Sequence, residues 1–198
     1  MDEKQRYFDS LGEDWDKDLT SEDLERLTHI LDKFNISQGL YVCDLGCGTG
    51  VLFDLLRRRV GEQGMILGVD FSPRAAHKAS RNFPFHNIGV VEADACCVPM
   101  ADGVFDLVVS FAAFAHFSHK DATIHEAYRI LKPGGRFVII HLAGREKLAC
   151  RHHMIGGPID HDELPDARQL RAMFERGLFM NHELTETKDL YLAVGFKK

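Results

Sequence analysis

The first clear pattern along the chain is a set of apolar residues that recur at helical spacing. Five of them share one helix face: Leu24, Leu27, Ile30, Leu31 and Phe34. Thr20 or Ser21 can cap the start of this helix, because a hydroxyl oxygen can accept a hydrogen bond from a free backbone amide of the first turn. A helix with one apolar face is stable when that face is covered, so we expect it to pack against the rest of the fold.

From Leu40 the pattern changes to short β-rich runs that alternate with helical segments. The predicted strands are 40–45, 65–70, 88–93, 104–111 and 135–141, and the predicted helices are 49–60, 72–83 and 118–131. Ser72 and Ser118 are the expected caps of the second and third of these helices, and Pro73 stands at a first helical position. The alternation predicts a mostly parallel sheet with helices on both faces, the arrangement of α/β proteins.

The last part of the chain follows a different pattern. After a helix predicted over residues 165–176 and ended by Gly177, two β-rich runs, 178–187 and 190–198, are joined only by Lys188-Asp189. A link this short cannot make the crossover that parallel strands need, so the two runs must form an antiparallel hairpin. Residues 142–165 form one long irregular connection, and connections of this length are usually functional.

Length and charge divide the chain into two parts. Its 198 residues suit one well-buried domain, and the net charge is −6. Residues 1–35 contain eleven Asp and Glu against five Lys and Arg, whereas residues 36–198 contain nineteen of each. We therefore expect an N-terminal helical arm over residues 1–35, either a solvated acidic face or a lid, and one α/β domain over residues 36–198. Without a basic footprint, a nucleic-acid partner is not expected.

Cysteine usage and hydropathy bear on the cellular compartment. The five cysteines are an odd number without a framework spacing, and Cys96 and Cys97 are adjacent. We expect reduced thiols and no disulfides, which suits a reducing compartment. No apolar run has the length of a membrane span, and the acidic start lacks the features of a signal peptide. The expected location is the cytoplasm.

Candidate chemistry begins at the first predicted crossover, where Asp44 precedes a loop with glycines at 46, 48 and 50. Such a loop lets a ligand approach the backbone closely. It is not the dinucleotide fingerprint, because the third glycine of that motif would fall at position 51, which is Val51. A carboxylate at this place disfavours a pyrophosphate and favours a ligand that carries an amino group and a positive charge.

Acidic residues also follow the next two predicted strands. Asp70 ends the second strand, where a carboxylate can accept hydrogen bonds from both hydroxyls of a ribose. Asp94 and Ala95 follow the third strand, where a carboxylate can take an adenine amino group while a backbone amide meets a ring nitrogen. Three consecutive strand ends thus indicate sites for an amino acid, a ribose and an adenine. Alternatively, Asp70 and Asp94 are helix caps or solvated loop residues.

At these residues the chain resembles the class I S-adenosylmethionine-dependent methyltransferases, from Leu40 to the last residue. The segments that match are DLGCGTG, VDFSP, EADA, FDLVVS and LKPGGRF. The chain looks most like the small-molecule group that includes the ubiquinone and menaquinone C-methyltransferases (methyltransferase type 11). The resemblance implies a Rossmann-like, seven-stranded sheet whose last strand is antiparallel, in agreement with the hairpin.

The resemblance also assigns residues to the cofactor. Asp44, Gly46, Gly48 and Gly50 would hold the methionine part of S-adenosylmethionine. The remaining cofactor contacts would be made by Asp70, Phe71, Asp94, Ala95 and Phe111. The protein would transfer a methyl group to a small acceptor, and alignment of the reactants can replace much of the work of a catalytic base.

The acceptor should lie beyond the fourth and fifth strands, because ligands of open α/β sheets bind outside the carboxyl ends of the strands. Phe111, Phe114 and Phe117 there indicate an apolar or aromatic acceptor, although core packing explains Phe114 and Phe117 equally well. Tyr7, Phe8 and Trp15 are expected to anchor the N-terminal arm as a lid. The acceptor itself, the atom methylated and the oligomeric state do not follow from the sequence.

The stretch from His141 to Pro165 contains four of the eleven histidines and one cysteine. We expect residues 145–153 to form two helical turns ended by Gly156 and Gly157, with His152 turned inward and His153 at the surface. His141 and His152, with His116, are the candidate catalytic residues. The histidine spacings match no short metal motif, so no metal site is assigned.

The sequence leaves two other functions open for this protein. Histidines and thiols allow a metal- or metalloid-linked acceptor, although only Cys150 among the cysteines is expected to face it. The chain could instead be a non-catalytic partner protein that keeps the cofactor fold. Structural hydrogen bonding remains the plain alternative for the histidines.

Overall fold

The structure, a computed structural model, describes residues 3–11 and 17–198 and places them around one seven-stranded sheet. The strands are β1 (Tyr41–Leu45), β2 (Met65–Asp70), β3 (Ile88–Glu92), β4 (Phe105–Phe111), β5 (Leu131–His141), β6 (Met180–Thr187) and β7 (Leu190–Phe196). The helices are α1 (Glu3–Leu11), α2 (Ser21–Asp32), α3 (Phe53–Val60), α4 (Pro73–Asn82), α5 (Lys120–Ile130), α6 (Arg145–Ile155) and α7 (Ala167–Arg176). Two short 3-10 helices span Phe114–His116 and Gly157–Ile159.

The strand order is β3-β2-β1-β4-β5-β7-β6. Strands β3, β2, β1, β4 and β5 pair in parallel, and β7 is antiparallel to both β5 and β6. The predicted Rossmann-like sheet with a C-terminal antiparallel hairpin is therefore confirmed. The chain order reverses between β1 and β4, which leaves a crevice beyond their carboxyl ends where ligands of such sheets bind.

Alternate residues of the central strands enter two separate cores. In β5, Phe137 and Ile139 pack on one face of the sheet, whereas Val138 and Ile140 pack on the other. A strand buried on both faces reads as a continuous apolar run, which is why these strands could be predicted. Because both faces are covered, the polar groups of the fold concentrate at the strand ends.

The helix ends follow the predicted caps in two of three cases. Thr20 caps α2 in a capping box with Asp23, and Ser72 caps α4 by accepting a bond from the Ala75 amide. The prediction that Ser118 caps α5 is wrong, because α5 begins at Lys120 and His119 occupies the cap position without a side-chain bond. One helix-face prediction also fails, since Leu24 is 39% exposed.

The connection predicted as irregular, residues 142–165, contains α6 and the second 3-10 helix. Helix α6 ends at Ile155, and Gly156 follows with a positive φ of 70°, as the glycine pair predicted. Trp15 lies outside the described residues. Among those that are described, no helix combines the length and apolar character needed to cross a membrane.

Candidate active site at the carboxyl ends of the strands

The loop after β1, which we call the glycine loop (residues 46–50), turns sharply and is tied to β2. Gly46 and Cys47 both donate backbone hydrogen bonds to the Val69 carbonyl, at 2.8 and 3.0 Å. Gly46 has φ +75°, and a Cβ on it would lie 2.4 Å from the Ala113 Cβ. The loop therefore needs glycine at this position both for its backbone conformation and for its close approach to the loop after β4.

Asp44 at the end of β1 is a buried carboxyl group without a hydrogen-bond partner among the described residues. It is 1% exposed, and neither of its carboxylate oxygens is bonded. Burial, with a contribution from the nearby Asp70, raises the pKa of Asp44 to about 8. A buried polar group that lacks a partner is costly, so this carboxyl suits a ligand that supplies a donor or a positive charge.

Asp70 at the end of β2 is oriented by the backbone around it. Its carboxylate accepts hydrogen bonds from the amides of Gly48 at 2.8 Å and Ser72 at 2.9 Å. Burial raises the pKa of Asp70, and the amide bonds oppose that rise. The bonds fix the carboxylate between the glycine loop and the start of α4, at the edge of a cavity.

That cavity, which we call the smaller cavity, collects most of the predicted cofactor residues. Its lining includes Gly46, Gly48, Asp70, Phe71, Asp94 and Ala95. Asp94 is exposed, and its carboxylate accepts a 3.0 Å hydrogen bond from the Cys96 amide. Gly50 does not contribute to the lining, because it packs against Phe53 and Phe83, where a Cβ would come within 2.9 Å of either ring.

Helix α1 lies over the smaller cavity. Phe8 is part of the lining, and its ring centroid is 5.6 Å from that of Phe71. Gln5 donates a 2.7 Å hydrogen bond to the Phe71 carbonyl, and Asp9 accepts one of 3.0 Å from the Ser72 hydroxyl. The helix therefore contacts the loop between β2 and α4 through both apolar and polar groups.

A second, larger cavity adjoins the first and extends along α6. The two cavities share lining residues at the glycine loop and after β4: Gly46, Gly48, Ala112 and His116. Asp44, Phe111 and Leu148 line only the larger one. Of the other predicted aromatic residues, Phe117 lines the smaller cavity, whereas Phe114 is fully buried in the core.

Three histidines from three elements line the larger cavity. They are His116 after β4, His141 at the end of β5 and His152 on α6. The rings of His116 and His152 are 4.8 Å apart. His141 is 2% exposed, and its Nε2 has no hydrogen-bond partner among the described residues. Burial, together with the neighbouring His116, His152 and Lys120, lowers the pKa of His141 to about 3.

Asp162, which the sequence did not single out, holds two of these histidines. Its carboxylate lies 2.7 Å from His116 Nδ1, and its backbone carbonyl lies 2.5 Å from His152 Nδ1. Lys4 of α1 forms a 2.5 Å ion pair with the same carboxylate. His152 is turned inward as predicted, whereas the His153 side chain is 80% exposed.

Known proteins resemble this chain both in sequence and in fold. A family model described as a methyltransferase domain matches residues 42–135. The chain is 27% identical over 144 residues to the ubiquinone/menaquinone biosynthesis C-methyltransferase UbiE of Legionella pneumophila (strain Lens), covering 69% of this chain and 58% of that protein. A solved S-adenosylmethionine-dependent methyltransferase from Aquifex aeolicus superposes with TM-score 0.73 at 18% identity, covering 98% of each chain.

Residues 42–135 match a methyltransferase domain, and the fold is that of solved S-adenosylmethionine-dependent methyltransferases. S-adenosylmethionine is the cofactor of this type of domain, as the resemblance implied. The described residues fit it on two observations: the buried carboxyl of Asp44 lacks a partner among them, and Gly46 and Gly48 line the smaller cavity with backbone alone. The chain spans little more than half the length of the UbiE proteins that it matches.

One further relative bears on the cysteine thiols of this chain. The arsenite methyltransferase of Aquipseudomonas alcaligenes is 34% identical over 122 residues, covering 56% of this chain and 35% of that protein. Cys150 and Cys47 both line the larger cavity. Burial raises the pKa of Cys47 well above its ordinary value. Among the described residues, no group of three His, Cys, Asp or Glu side chains is arranged to hold a metal ion.

Proposed function

We propose that this protein transfers a methyl group from S-adenosylmethionine to a small, largely apolar or aromatic acceptor. The single observation that carries the proposal is the buried carboxyl of Asp44, which has no hydrogen-bond partner among the described residues and lines the larger cavity beside the glycine loop. A cofactor ammonium group would provide the missing partner and favour the charged form of the carboxyl.

The other cofactor residues follow from the smaller cavity. Asp70 would hold the ribose hydroxyls, because its carboxylate is fixed by two backbone amides at the cavity edge. Asp94 and Ala95 would hold the adenine, with Phe71 alongside. Gly46 and Gly48 would let the methionine part approach the backbone. Gly50 would act indirectly, by allowing the loop to pack on α3 and α4.

The acceptor would lie in the larger cavity. Charged residues such as Arg145 and Glu186 form part of its lining, but the apolar side chains there, among them Phe111, Leu148 and Ile159, suit an apolar or aromatic molecule. When bound, the cofactor supplies an activated methyl group, and the chain aligns the acceptor with it and excludes water. His116, His141 and His152 would bind the acceptor or accept its proton. Helix α1 of the N-terminal arm, residues 1–35, would serve as the lid over residues 36–198.

A metalloid acceptor is the second candidate. It is favoured by the arsenite methyltransferase relative and by Cys47 and Cys150 in the larger cavity. Thiolates are the forms that bind such acceptors, and burial holds Cys47 as a thiol. We therefore rank it below an apolar acceptor.

Calorimetry with S-adenosylmethionine tests the proposal. The protein should bind the cofactor, and Asp70→Ala and Gly48→Val should each abolish binding, whereas Asp54→Asn on the exposed face of α3 should leave the affinity unchanged. Unchanged affinity in both site variants would contradict the assignment. Mass spectrometry of molecules that copurify, with metal analysis of the same sample, separates the two acceptor classes. Cofactor binding without turnover of any acceptor would favour a non-catalytic partner protein.

A further inference from the structure

The contacts of Asp162 fix the protonation pattern of two histidines in the larger cavity. A backbone carbonyl can only accept a hydrogen bond, so the nitrogen that faces it, His152 Nδ1, must carry the hydrogen. The carboxylate of Asp162 accepts in the same way from His116 Nδ1 at 2.7 Å. In a neutral imidazole the other nitrogen is then an acceptor, so both rings have a basic Nε2.

His116 occupies the better position of the two for proton transfer. It lines both cavities, so it lies at the junction where the cofactor site and the acceptor site meet. His152 packs beside it with ring centroids 4.8 Å apart and lines only the larger cavity. His141 adds a third buried imidazole whose Nε2 has no partner among the described residues, and the same cavity contains it.

We propose that Asp162 is a positioning residue that holds His116 as the proton acceptor, and that the methyl acceptor of this protein is therefore a protic aromatic molecule with an O–H or N–H group. The inference rests on the proposed function. An acid–base pair of this form orients the imidazole and stabilises the imidazolium that results from proton transfer.

The step balances without any further reactant. The acceptor O–H or N–H bond breaks, its proton passes to His116 Nε2, and its electron pair remains on the acceptor. An electron pair of the acceptor forms the bond to the methyl carbon, and the pair of the carbon–sulfur bond stays on sulfur. The sulfonium charge disappears as the imidazolium charge forms next to the carboxylate of Asp162.

Electrostatics around His116 support the role of Asp162. Burial lowers the pKa of His116, and the hydrogen bond and charge of Asp162 oppose that shift. Within the described ranges 3–11 and 17–198, the titratable groups that face the ring or its loop include Asp162, His152, Lys4, His141 and Lys120. Of these groups only Asp162 carries a negative charge, so its removal should make His116 a weaker base.

Nuclear magnetic resonance of the histidine ring nitrogens tests the positioning without any ligand. At pH 8 both His116 and His152 should carry hydrogen on Nδ1. Asp162→Asn should lower the proton affinity of His116 at least tenfold and leave the His152 tautomer unchanged, because a backbone carbonyl holds that ring. Lys4→Met should leave both tautomers unchanged. Hydrogen on Nε2 of His116 in the unmodified protein would overturn the proposal, even if the variant failed to fold.

A matched control exists on the surface of the same segment. Asp160 lies 2.7 Å from Nδ1 of the exposed His153, the same separation as in the buried pair. Asp160→Asn should alter the signals of His153 and, more weakly, of His161, whose Nε2 lies 3.9 Å from the same carboxylate, and should leave the signals of His116 and His152 and methyl transfer unchanged.

Methyl transfer to 2-naphthol, with 2-methoxynaphthalene as the probe that lacks the O–H group, tests the acceptor class. The protein should methylate 2-naphthol only. Asp162→Asn should lower kcat about 100-fold with KM for 2-naphthol within threefold, and Asp162→Glu should recover part of that loss. Equal transfer to both probes, an unchanged kcat, or cofactor binding without transfer to 2-naphthol would overturn the proposal. Absence of cofactor binding in calorimetry would instead contradict the proposed function.

Discussion

The two halves of the sheet edge differ in the buried polar groups that they contain and in how those groups are paired. At the ends of β1–β3 the groups are acids, and Asp44 has no partner among the described residues. After β4 and β5 they are His116 and His141, and Asp162 holds His116 together with His152 of α6. Burial raises the pKa of Asp44 to about 8 and lowers that of His141 to about 3, so both groups favour the uncharged form near neutral pH. Asp44 therefore favours a ligand that supplies a donor or a positive charge, whereas on the other half Asp162 pairs with two histidines and only His141 Nε2 is left without a partner among the described residues of that group.

The largest expected effect comes from Gly46→Ala. The new Cβ would lie 2.4 Å from Ala113 Cβ at φ +75°, so we expect undetectable cofactor binding and a loss of about 2–4 kcal/mol in the free energy of unfolding. Gly134→Ala is the control, because φ is +80° there and nothing lies within 4 Å of the added Cβ. Urea unfolding and calorimetry measure both effects, and equal losses in the two variants would show that strain alone, without the clash, is responsible.

Asp44→Asn should weaken cofactor binding about 100-fold, because a ligand ammonium loses its charged partner. The same change should stabilise the protein at pH 8. The pKa of Asp44 is raised in the folded protein, so its contribution to stability is present below about pH 4 and is lost as the pH rises to about 8, by at most about 5 kcal/mol. Urea unfolding between pH 4 and 8 should show a flatter pH dependence in the variant, whereas exposed Asp54→Asn should match the unmodified protein.

His141→Leu tests the other half of the sheet edge. The pKa of His141 is lowered in the folded protein, so its contribution is present above about pH 6.5 and is lost as the pH falls to about 3. The variant should lose up to about 5 kcal/mol less stability over this acid range, with cofactor affinity unchanged. His153→Leu at the exposed position should leave the acid unfolding curve as it is. A weaker cofactor affinity in His141→Leu would show that the two halves are not separate.

Lys4→Met should have the smallest effect. It breaks the 2.5 Å ion pair with Asp162 and the bond to the His116 carbonyl, which together dock α1. We expect a threefold to tenfold loss of cofactor affinity and faster proteolysis within α1. Lys132→Met, which breaks the ion pair with Asp106 near the amino end of β4, should change neither measurement.

The two halves also differ in how much of the candidate site could be predicted from the sequence. Asp70, Asp94 and the glycine loop lie directly at strand ends, so a local pattern places each one beside a cavity. The role of Asp162 could not be predicted, because its partner His116 lies 46 residues earlier and Lys4 lies 158 residues earlier. Such contacts depend on how the segment after β5 folds back, and the periodicity of apolar residues in the sequence does not indicate that. The Ser118 cap failed for a local reason, since the backbone enters α5 only at Lys120.

Helix α1 contacts both halves at once, through Gln5 and Asp9 on one side and Lys4 on the other. A single docking equilibrium of this helix would therefore link the two proposed binding events. If the cofactor and the acceptor both bind more tightly when α1 is docked, each ligand increases the affinity of the protein for the other. The two increases are equal, because they express one coupling free energy. Cooperativity between two chemically different ligands would then arise from one short amphipathic helix rather than from any movement of the sheet.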